Sequence, residues 1–422
     1  MKTNLTLLSR GKWLLAIFLP VFFFCNYLQG QTAVYLDPSQ PVDMRVEDLF
    51  SRMTLEEKLG QLNMPNNELL ASDTRGKTDA CENFLSKKVK SVAVIGPNAD
   101  AGRNQLGDYI ARTINQHVVT VLEGIRNKVV PGTKITYVKG CEITGKTLNE
   151  FAKAKEAAAK ADVAIVVIGE NGEITNGEGH DVASLDLTGM QEELLKEVCS
   201  TGTPTIAVII SGRPLSVVWA DENVPALLQA WMCGEEGGNA VADILFGDYN
   251  PEGRLPVTFA RHSGQLPVYY NHMHSKDFWV KGYGFQYVDM SALPLYNFGH
   301  GLSYTTFEYE NLRISPETTG TSGTIVINAD VTNTGKRMGG EVVQLYVEDE
   351  ISSMSTPVMK LAGFVKIRLE PGETATVTFR IYPDQLAFYD SHLEKIVEPG
   401  KFRVMVGSSS DRIRLKGEFE LR

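Results

Sequence analysis

A strongly acidic loop follows one of the most apolar segments of the chain. The run "ADVAIVVI" is followed directly by "GENGEITNGEGHDVASLDL", residues 169–187, in which several glycines separate the carboxylates of Glu170, Glu173, Glu178, Asp181 and Asp186. Carboxylates held at such a position could bind substrate hydroxyls, or one of them could donate a proton to a leaving-group oxygen. A solvated acidic loop without any chemical role would have the same composition. The composition alone leaves these alternatives open.

Strands and helices alternate around this loop over residues 89–260. Runs rich in β-branched residues, such as "VKSVAVIG" and "PTIAVIIS", alternate with amphipathic patterns such as "GMQEELLKEVC". This alternation predicts an α/β sandwich, a parallel sheet covered by helices on both faces. Ligands of such sheets bind at the carboxyl ends of the strands, which is where the acidic loop begins.

The apolar period changes to two in the last part of the chain. Short alternating segments such as "GTIVINADVTNTG" and "TATVTFRIY", separated by Gly, Pro and Asn turns, fill residues 308–422. They predict an antiparallel sandwich of about seven strands, of the immunoglobulin or fibronectin type III class. Residues 261–307 are rich in aromatics and glycine, and we interpret them as a long structured linker.

The amino-terminal residues predict export. Residues 1–30 place basic side chains before the apolar run "WLLAIFLPVFFFC" and end in small or polar residues, which is typical of a signal peptide. An uncleaved anchor is the alternative. No later run is apolar enough to span a membrane, so we expect a periplasmic or secreted protein of bacterial type. Helical patterns follow within residues 36–64, and residues 65–88 are polar and irregular.

Several function classes are disfavoured by composition and missing motifs. The net charge is -10 and no long basic run is present, which argues against nucleic-acid binding. Neither GxGxxG nor GxxxxGKS/T follows a strand, and neither HExxH nor clustered cysteine and histidine suggests a metal, so we predict no cofactor. Arg213 follows another strand in "SGRPL", where it could bind a ligand anion, although pairing with a nearby carboxylate is favoured.

The order of several segments resembles glycoside hydrolase family 3. The segments include "KSVAVIGPNAD", "EGHDVASLDLTGMQEELLKEV", "IISGRPLSVVWADENVPALLQAW", "GDYNPEGRLPVTF" and "LYNFGHGLSYTTF". The resemblance implies an exo-acting β-glucosidase or β-xylosidase that retains anomeric configuration. It also implies three domains: a (β/α)8 barrel, an α/β sandwich and a fibronectin III-like domain.

The resemblance also implies roles for the acidic loop. Retaining glycosidases use two carboxyl groups about 5 to 5.5 Å apart, one as nucleophile and one as acid/base. In this family the acid/base glutamate comes from the loop of the second domain, and the family's EGxD pattern matches "EGHD", which places the role on Glu178. Glu170 and Glu173 are the fallbacks, because loop lengths vary. Asp181 is expected to bind substrate or orient the loop, and Asp186 is expected to be structural.

The main departure from the family pattern is that the sequence has too few residues for the barrel. A (β/α)8 barrel takes about 250 residues, whereas residues 31–88 leave room only for a helical remnant of one. The nucleophile signature has no match, and Asp73 in "ASDTRGK" lacks a preceding barrel strand. We therefore expect impaired or absent hydrolysis by these 422 residues. The alternative is a non-catalytic carbohydrate- or partner-binding remnant, and an oligomer or partner is expected to cover the exposed barrel-facing surface.

Overall fold

The computed structural model describes residues 41, 44, 70–72, 89–107, 110, 117–274 and 287–422. The chain divides into two compact units, Met1–Asn63 and Met64–Arg422. Only residues 41 and 44 of the first unit are described, with Met44 helical. The predicted signal peptide at residues 1–30, the rest of the helices predicted within residues 36–64, and Asp73 all lie outside the described residues.

The second unit contains a six-stranded sheet covered by helices on both faces. Its strands are β1 (Leu70–Ser72), β2 (Ser91–Ile95), β3 (Lys134–Val138), β4 (Val163–Gly169), β5 (Thr205–Ile210) and β6 (Ala226–Gln229). Its helices are α1 (Val121–Lys128), α2 (Phe151–Ala159), α3 (Gln191–Cys199), α4 (Val218–Asn223) and α5 (Gly237–Leu245). Among the described residues, no helix combines the length and apolarity of a membrane span.

Two apolar cores form because successive strand residues face opposite sides of the sheet. On one side, Ala164, Val166 and Ile168 of β4 pack with α2, α3 and α4. On the other side, Ile165 and Val167 pack with α1 and α5. Every residue of β4 is buried, which explains its uninterrupted apolar sequence.

The strand order reverses beside the acidic loop. The order across the sheet is β1-β6-β5-β4-β2-β3, so the chain passes from β2 to β3 on one side and then to β4 on the other. Loops that leave the carboxyl ends of the strands at such a reversal diverge and form a crevice. Here these loops are residues 96–107 after β2 and residues 170–187 after β4. The fold therefore places the acidic loop at the position where α/β sheets bind ligands.

One strand departs from the predicted fold. Residues 65–88 are expected to be irregular, yet Leu70–Ser72 form β1, which pairs antiparallel with β6 at the sheet edge. The expectation of an irregular segment is wrong at this strand, whereas the strands within residues 89–260 pair in parallel as predicted. Three residues are too few to show a period of two in the sequence, and an open sheet edge offers backbone groups that any short extended segment can pair with.

The predicted linker is partly built into the α/β core. Phe259 forms an isolated β-bridge with Tyr296, and their rings are in edge contact with centroids 5.8 Å apart. Leu295 and Tyr296 are buried in the core that contains α2, α3 and α4. The residues near 295 therefore add to the hydrophobic core of the sheet rather than only connecting domains.

The last part of the chain is a β-sandwich, as predicted. Its seven longer strands are β7 (Phe307–Ser315), β9 (Ile325–Asn333), β10 (Gly339–Asp349), β11 (Lys360–Leu369), β12 (Thr374–Ile381), β15 (Gly400–Gly407) and β16 (Ile413–Leu421). The short elements are β8 (Thr318–Thr319), α6 (Pro383–Leu386), β13 (Phe388–Tyr389) and β14 (Lys395–Ile396). The sheets β11-β10-β15-β16-β8 and β12-β9-β7 enclose one apolar core.

Two buried carboxylates join the sandwich to the segment that follows α5. Glu252, before the sandwich, is 4% exposed and accepts two hydrogen bonds from Arg368 of β11 at 3.0 and 3.1 Å. Two residues later the segment carries the positive partner instead: Arg254 lies 3.0 Å from the buried carboxylate of Glu341 in β10. Tyr309 of β7 also donates to Glu341 at 3.1 Å. The segment and the sandwich therefore each contribute one glutamate and one arginine to two reciprocal ion pairs.

Removing the arginine from one of these two ion pairs should destabilise the protein strongly. Arg254→Met leaves the Glu341 carboxylate buried without its nearest cation, and a broken buried pair costs about 3–5 kcal/mol in the free energy of unfolding. The double variant Arg254→Met/Glu341→Gln should recover part of that loss. Urea unfolding followed by circular dichroism measures both effects.

The control is Lys155→Met, which removes an exposed ion pair with Glu197 between α2 and α3. Exposed pairs contribute little to stability because water screens them. A loss for Arg254→Met no greater than the loss for Lys155→Met would contradict the expectation.

Candidate active site

The acidic loop begins at a glycine that no other residue can replace without strain. Gly169 has φ of 134°, and a Cβ added there would lie 1.9 Å from the Ile210 carbonyl oxygen. The buried carboxamide of Gln191, at the start of α3, accepts from Gly169 N–H at 2.8 Å and donates to its carbonyl at 2.8 Å. The direction in which the loop leaves β4 is therefore fixed by sheet packing and by one side chain.

Glu170 points into the protein and pairs with an arginine. Its side chain is 2% exposed, and Oε1 lies 3.0 Å from Nε of Arg213, which follows β5. The same guanidinium donates through Nη2 to the Thr175 carbonyl at 2.9 Å and to Asn176 Oδ1 at 3.3 Å. The prediction that Arg213 pairs with a nearby carboxylate is confirmed.

Burial raises the pKa of Glu170 from its ordinary 4.5 to about 7. The positive charge of Arg213 and the Gly212 N–H both act to lower the pKa. Neither is directed well enough at the carboxylate to make a well-formed hydrogen bond among the described residues. Loss of solvation therefore prevails, because the charged form is disfavoured away from water.

A row of buried carboxamides ties the acidic loop to the loop after β2. Asn98 donates to the Glu170 carbonyl at 3.1 Å, Asn104 donates to Asn98 Oδ1 at 2.6 Å, and Asn171 donates to Asn104 Oδ1 at 2.5 Å. Asn171 Oδ1 in turn accepts from the Glu173 N–H at 2.6 Å. The two loops on either side of the strand-order reversal are thereby held as one unit.

Glu173 lies on the outside of the same turn. Its carboxylate is 61% exposed and lies 3.1 Å from Nε of Arg103, in the 3-10 turn Gly102–Gln105 that follows β2. This pair is a second, solvent-exposed link between the two loops. The two fallback glutamates thus have different surroundings, one buried against Arg213 and one at the surface against Arg103.

Glu178 lies at the tip of the loop, in a tight turn. The His180 N–H donates to the Gly177 carbonyl at 3.1 Å, which closes the four-residue turn Gly177–His180 around Glu178. Gly179 at the third position has φ of 82°, as a type II turn requires. Glu178 is exposed, and Asp181, just beyond the turn, is exposed as well.

The loop returns to the fold through backbone contacts near residue 185. Leu185 N–H donates to Ser263 Oγ at 3.0 Å, and its carbonyl accepts from Ser216 N–H at 2.7 Å. Asp186 accepts a hydrogen bond from the Ser184 hydroxyl at 2.5 Å. Both ends of the loop are therefore anchored, and the tip with Glu178 and Asp181 lies between them.

Two sequence comparisons identify the family. Residues 84–304 match the model of the glycosyl hydrolase family 3 C-terminal domain, and residues 341–410 match that of a fibronectin type III-like domain. The chain belongs to glycoside hydrolase family 3. The resemblance recognised in the sequence motifs is confirmed.

The family 3 relatives are about twice as long as this chain. The chain is 40% identical over 367 residues to a periplasmic β-glucosidase of Salmonella typhimurium, covering 81% of this chain and 47% of that protein. It is 43% identical over 333 residues to a β-xylosidase of Formosa agariphila, covering 78% of this chain and 46% of that one. The chain therefore spans about half the length of these relatives.

Solved structures of family 3 enzymes share the fold. A β-glucosidase from Listeria innocua in complex with isofagomine matches with a TM-score of 0.78 and 30% identity, covering 91% of this chain and 52% of that one. A β-glucosidase from Bifidobacterium adolescentis matches with a TM-score of 0.72 and 25% identity, covering 90% of this chain and 56% of that one.

The polar residues that shape this family 3 loop could not be found from sequence patterns. The buried side chains of Asn98, Asn104, Asn171 and Gln191 belong to no periodic pattern, and each acts on residues distant in sequence. The only signal is a set of carboxamides close to strand ends.

Among the described residues, no group of three His, Cys, Asp or Glu side chains is arranged to hold a metal ion.

The buried carboxyl of Glu170 should make stability fall as pH rises. Its pKa is higher in the folded protein, about 7, than in the unfolded chain, so the folded state holds the extra proton between about pH 4.5 and pH 7 and loses this advantage as pH rises through that window. Glu170→Gln stays neutral, so its unfolding free energy should depend less on pH than that of the wild type. Urea unfolding between about pH 5 and pH 8 measures the difference.

Glu173→Gln is the matched control for this titration, because Glu173 lies in the same turn but faces solvent. It makes the same substitution but keeps the buried carboxyl of Glu170, so the pH effect of Glu170 should persist in it. If the free energy of unfolding changed with pH equally in the wild type and in Glu170→Gln, Glu170 would not titrate as described.

Proposed function

We propose that this chain carries the proton-donating half of an exo-acting, retaining β-glycosidase of the β-glucosidase or β-xylosidase type. The observation that carries the proposal is the position of Glu178, exposed in a glycine-containing turn within a loop whose two ends are anchored. The relatives named β-glucosidase and β-xylosidase support the substrate class. The substrate is then a β-linked glycoside or oligosaccharide.

In the proposed reaction Glu178 acts first as an acid and then as a base. It protonates the glycosidic oxygen while a second carboxylate attacks the anomeric carbon, so that the leaving alcohol departs and a glycosyl-enzyme ester forms. Glu178 then removes a proton from water, which attacks the anomeric carbon and releases the sugar and the second carboxylate. Asp181, next to the turn, is proposed to bind substrate hydroxyls.

The fallback glutamates suit this role less well. Glu170 is 2% exposed and pairs with Arg213, so a substrate oxygen could reach it only if the turn opened. Glu173 is exposed and links the acidic loop to Arg103 of the neighbouring loop, but it lies outside the "EGHD" segment that matches the family pattern at Glu178. Glu178 has the exposure that a proton donor to an external substrate needs, which supports the assignment.

The second carboxylate is proposed to come from polypeptide outside these 422 residues. The family resemblance places the nucleophile in a (β/α)8 barrel, for which residues 31–88 are too few. The acidic loop returns to the fold at Leu185, which contacts Ser263. Close in sequence or by hydrogen bonding to Ser263 are three exposed apolar side chains, Leu266, Tyr287 and Leu293. Tyr287 donates to the Gly264 carbonyl and Gln265 donates to the Leu293 carbonyl, which brings these residues together. We propose that the nucleophile-bearing part, or another copy or partner, covers this surface.

A two-component hydrolysis assay tests the proposal. Phenyl and 2,4-dinitrophenyl β-glucosides and β-xylosides are offered to the purified chain, to the isolated barrel domain of a related β-glucosidase, and to their mixture. We expect hydrolysis by the mixture above that of either part. Glu178→Gln should lower phenyl glycoside turnover about 10²- to 10⁴-fold, and dinitrophenyl glycoside turnover less, because an activated leaving group needs little acid assistance.

The control variant is Glu173→Gln, which changes an exposed carboxylate of the same loop and should leave turnover near that of the wild type. Hydrolysis by the mixture that does not exceed hydrolysis by the barrel alone would favour a carbohydrate- or partner-binding role. Hydrolysis by the chain alone at ordinary enzyme rates would show that the nucleophile lies within it.

We also propose that the protein is exported to the periplasm or beyond. The proposal rests on the signal-peptide pattern in residues 1–30 and on a relative named as periplasmic. Expression in a bacterium followed by mass spectrometry of the periplasmic protein should find a new amino terminus near residue 30. An intact protein retained in the cytoplasm would contradict export.

A further inference from the structure

Glu178 lies between two glycines in the tip turn Gly177–His180. Gly177 has φ of 107° and Gly179 has φ of 82°, and a Cβ at Gly179 would meet nothing within 4 Å. Glycine in open surroundings at position 179 permits backbone conformations that other residues rarely adopt. The direction of the tip therefore also depends on how the residues before it are held.

Those preceding residues form a compact turn on Asn171. The Asn171 carbonyl accepts from the N–H groups of Ile174, Thr175 and Asn176, at 3.0 to 3.2 Å. The Asn171 N–H donates to Thr175 Oγ1 at 3.1 Å. Residues 171–176 are thus held together by their own hydrogen bonds, and Asn171 ties the start of this turn to Asn104.

Arg213 holds both ends of that turn at once. Its Nε faces Glu170, the residue before the turn, at 3.0 Å, and its Nη2 reaches Thr175 and Asn176, the last residues of the turn, at 2.9 and 3.3 Å. The approach is close, because a Cβ at Gly212 would lie 2.1 Å from Asn176 Nδ2. A guanidinium can span two such targets because its N–H groups form a rigid planar fork.

We propose that Arg213 is the positioning residue for Glu178: by bridging Glu170 to Thr175 and Asn176, its guanidinium sets the point and direction from which the tip turn Gly177–His180 begins. Arg213 acts through the loop and does not touch the substrate in this proposal. The inference rests on the proposed function only in giving the tip its chemical purpose. Arg103 also pairs with a glutamate of the loop, the solvent-exposed Glu173.

Hydrogen exchange resolved to single amides by NMR on the full chain tests the proposal. The amide of His180 closes the tip turn on the Gly177 carbonyl, whereas Arg213 donates to Thr175 and Asn176, so His180 reports on the tip rather than on the lost contact. We expect Arg213→Gln to speed exchange at His180 and at Ile174–Asn176 by about tenfold or more, since hydrogen bonds from a charged group are lost. Amides of β4 and α3 should keep their wild-type rates.

The conservative variant and a pH series separate positioning from general stabilisation. Arg213→Lys keeps the charge beside Glu170 but cannot span both ends of the turn, so we expect exchange at His180 between that of the wild type and Arg213→Gln. In the wild type, exchange at His180 relative to β4 should change as Glu170 titrates, and Glu170→Gln should remove that change. Arg103→Gln is the matched control and should leave His180 near the wild-type rate.

Two results would overturn the proposal. One is unchanged exchange at His180 in Arg213→Gln, which would mean that the tip is held independently of this arginine. The other is an equal increase in β4, α3 and the tip, which would mean that Arg213 only stabilises the domain. Neither result depends on hydrolysis, so a failure of Glu178→Gln to affect the two-component assay would contradict the proposed function and leave this measurement valid.

Discussion

The reversal of strand order between β2 and β4 is the constraint on which the candidate site depends. Both strands are buried on both faces, so their positions are fixed by two apolar cores. At the reversal the connecting chains diverge, and the loops after β2 and β4 meet across the resulting crevice. The buried carboxamides of Asn98, Asn104 and Asn171 then join the loops, because polar groups in such a place must find partners inside the protein.

The surroundings divide the three glutamates of one short loop into different roles. Glu170 is withdrawn from water and held against Arg213, whereas Glu173 makes an exposed link to Arg103. Glu178 alone of the three lies at the tip turn closed by His180. The same side-chain type thus serves as internal anchor, surface link and proposed proton donor, and the difference comes from burial and backbone geometry rather than from residue chemistry.

Two reciprocal ion pairs lie at the contact between the β-sandwich and the segment that follows α5. Glu252 is neutralised by Arg368, and Glu341 by Arg254, within two residues of one another along the connecting segment. Burial tends to raise the pKa of Glu252, but hydrogen bonds from Arg368 and Tyr249 hold it below its ordinary value. Because a buried charge without its partner is costly, we expect these two pairs to favour the observed placement of the sandwich on the segment.

The sequence by itself determined the α/β region, the sandwich, the family and the acidic loop, because apolar periodicity and local motifs depend on neighbouring residues. It also favoured the pairing of Arg213 with a carboxylate. It did not determine which carboxylate, nor the edge strand β1, nor the carboxamides that join the loops. Those contacts link residues that are far apart in the chain, such as Asn104 and Asn171. Only the tertiary structure decided them, because burial and hydrogen-bond geometry exist only once the strands have taken their order.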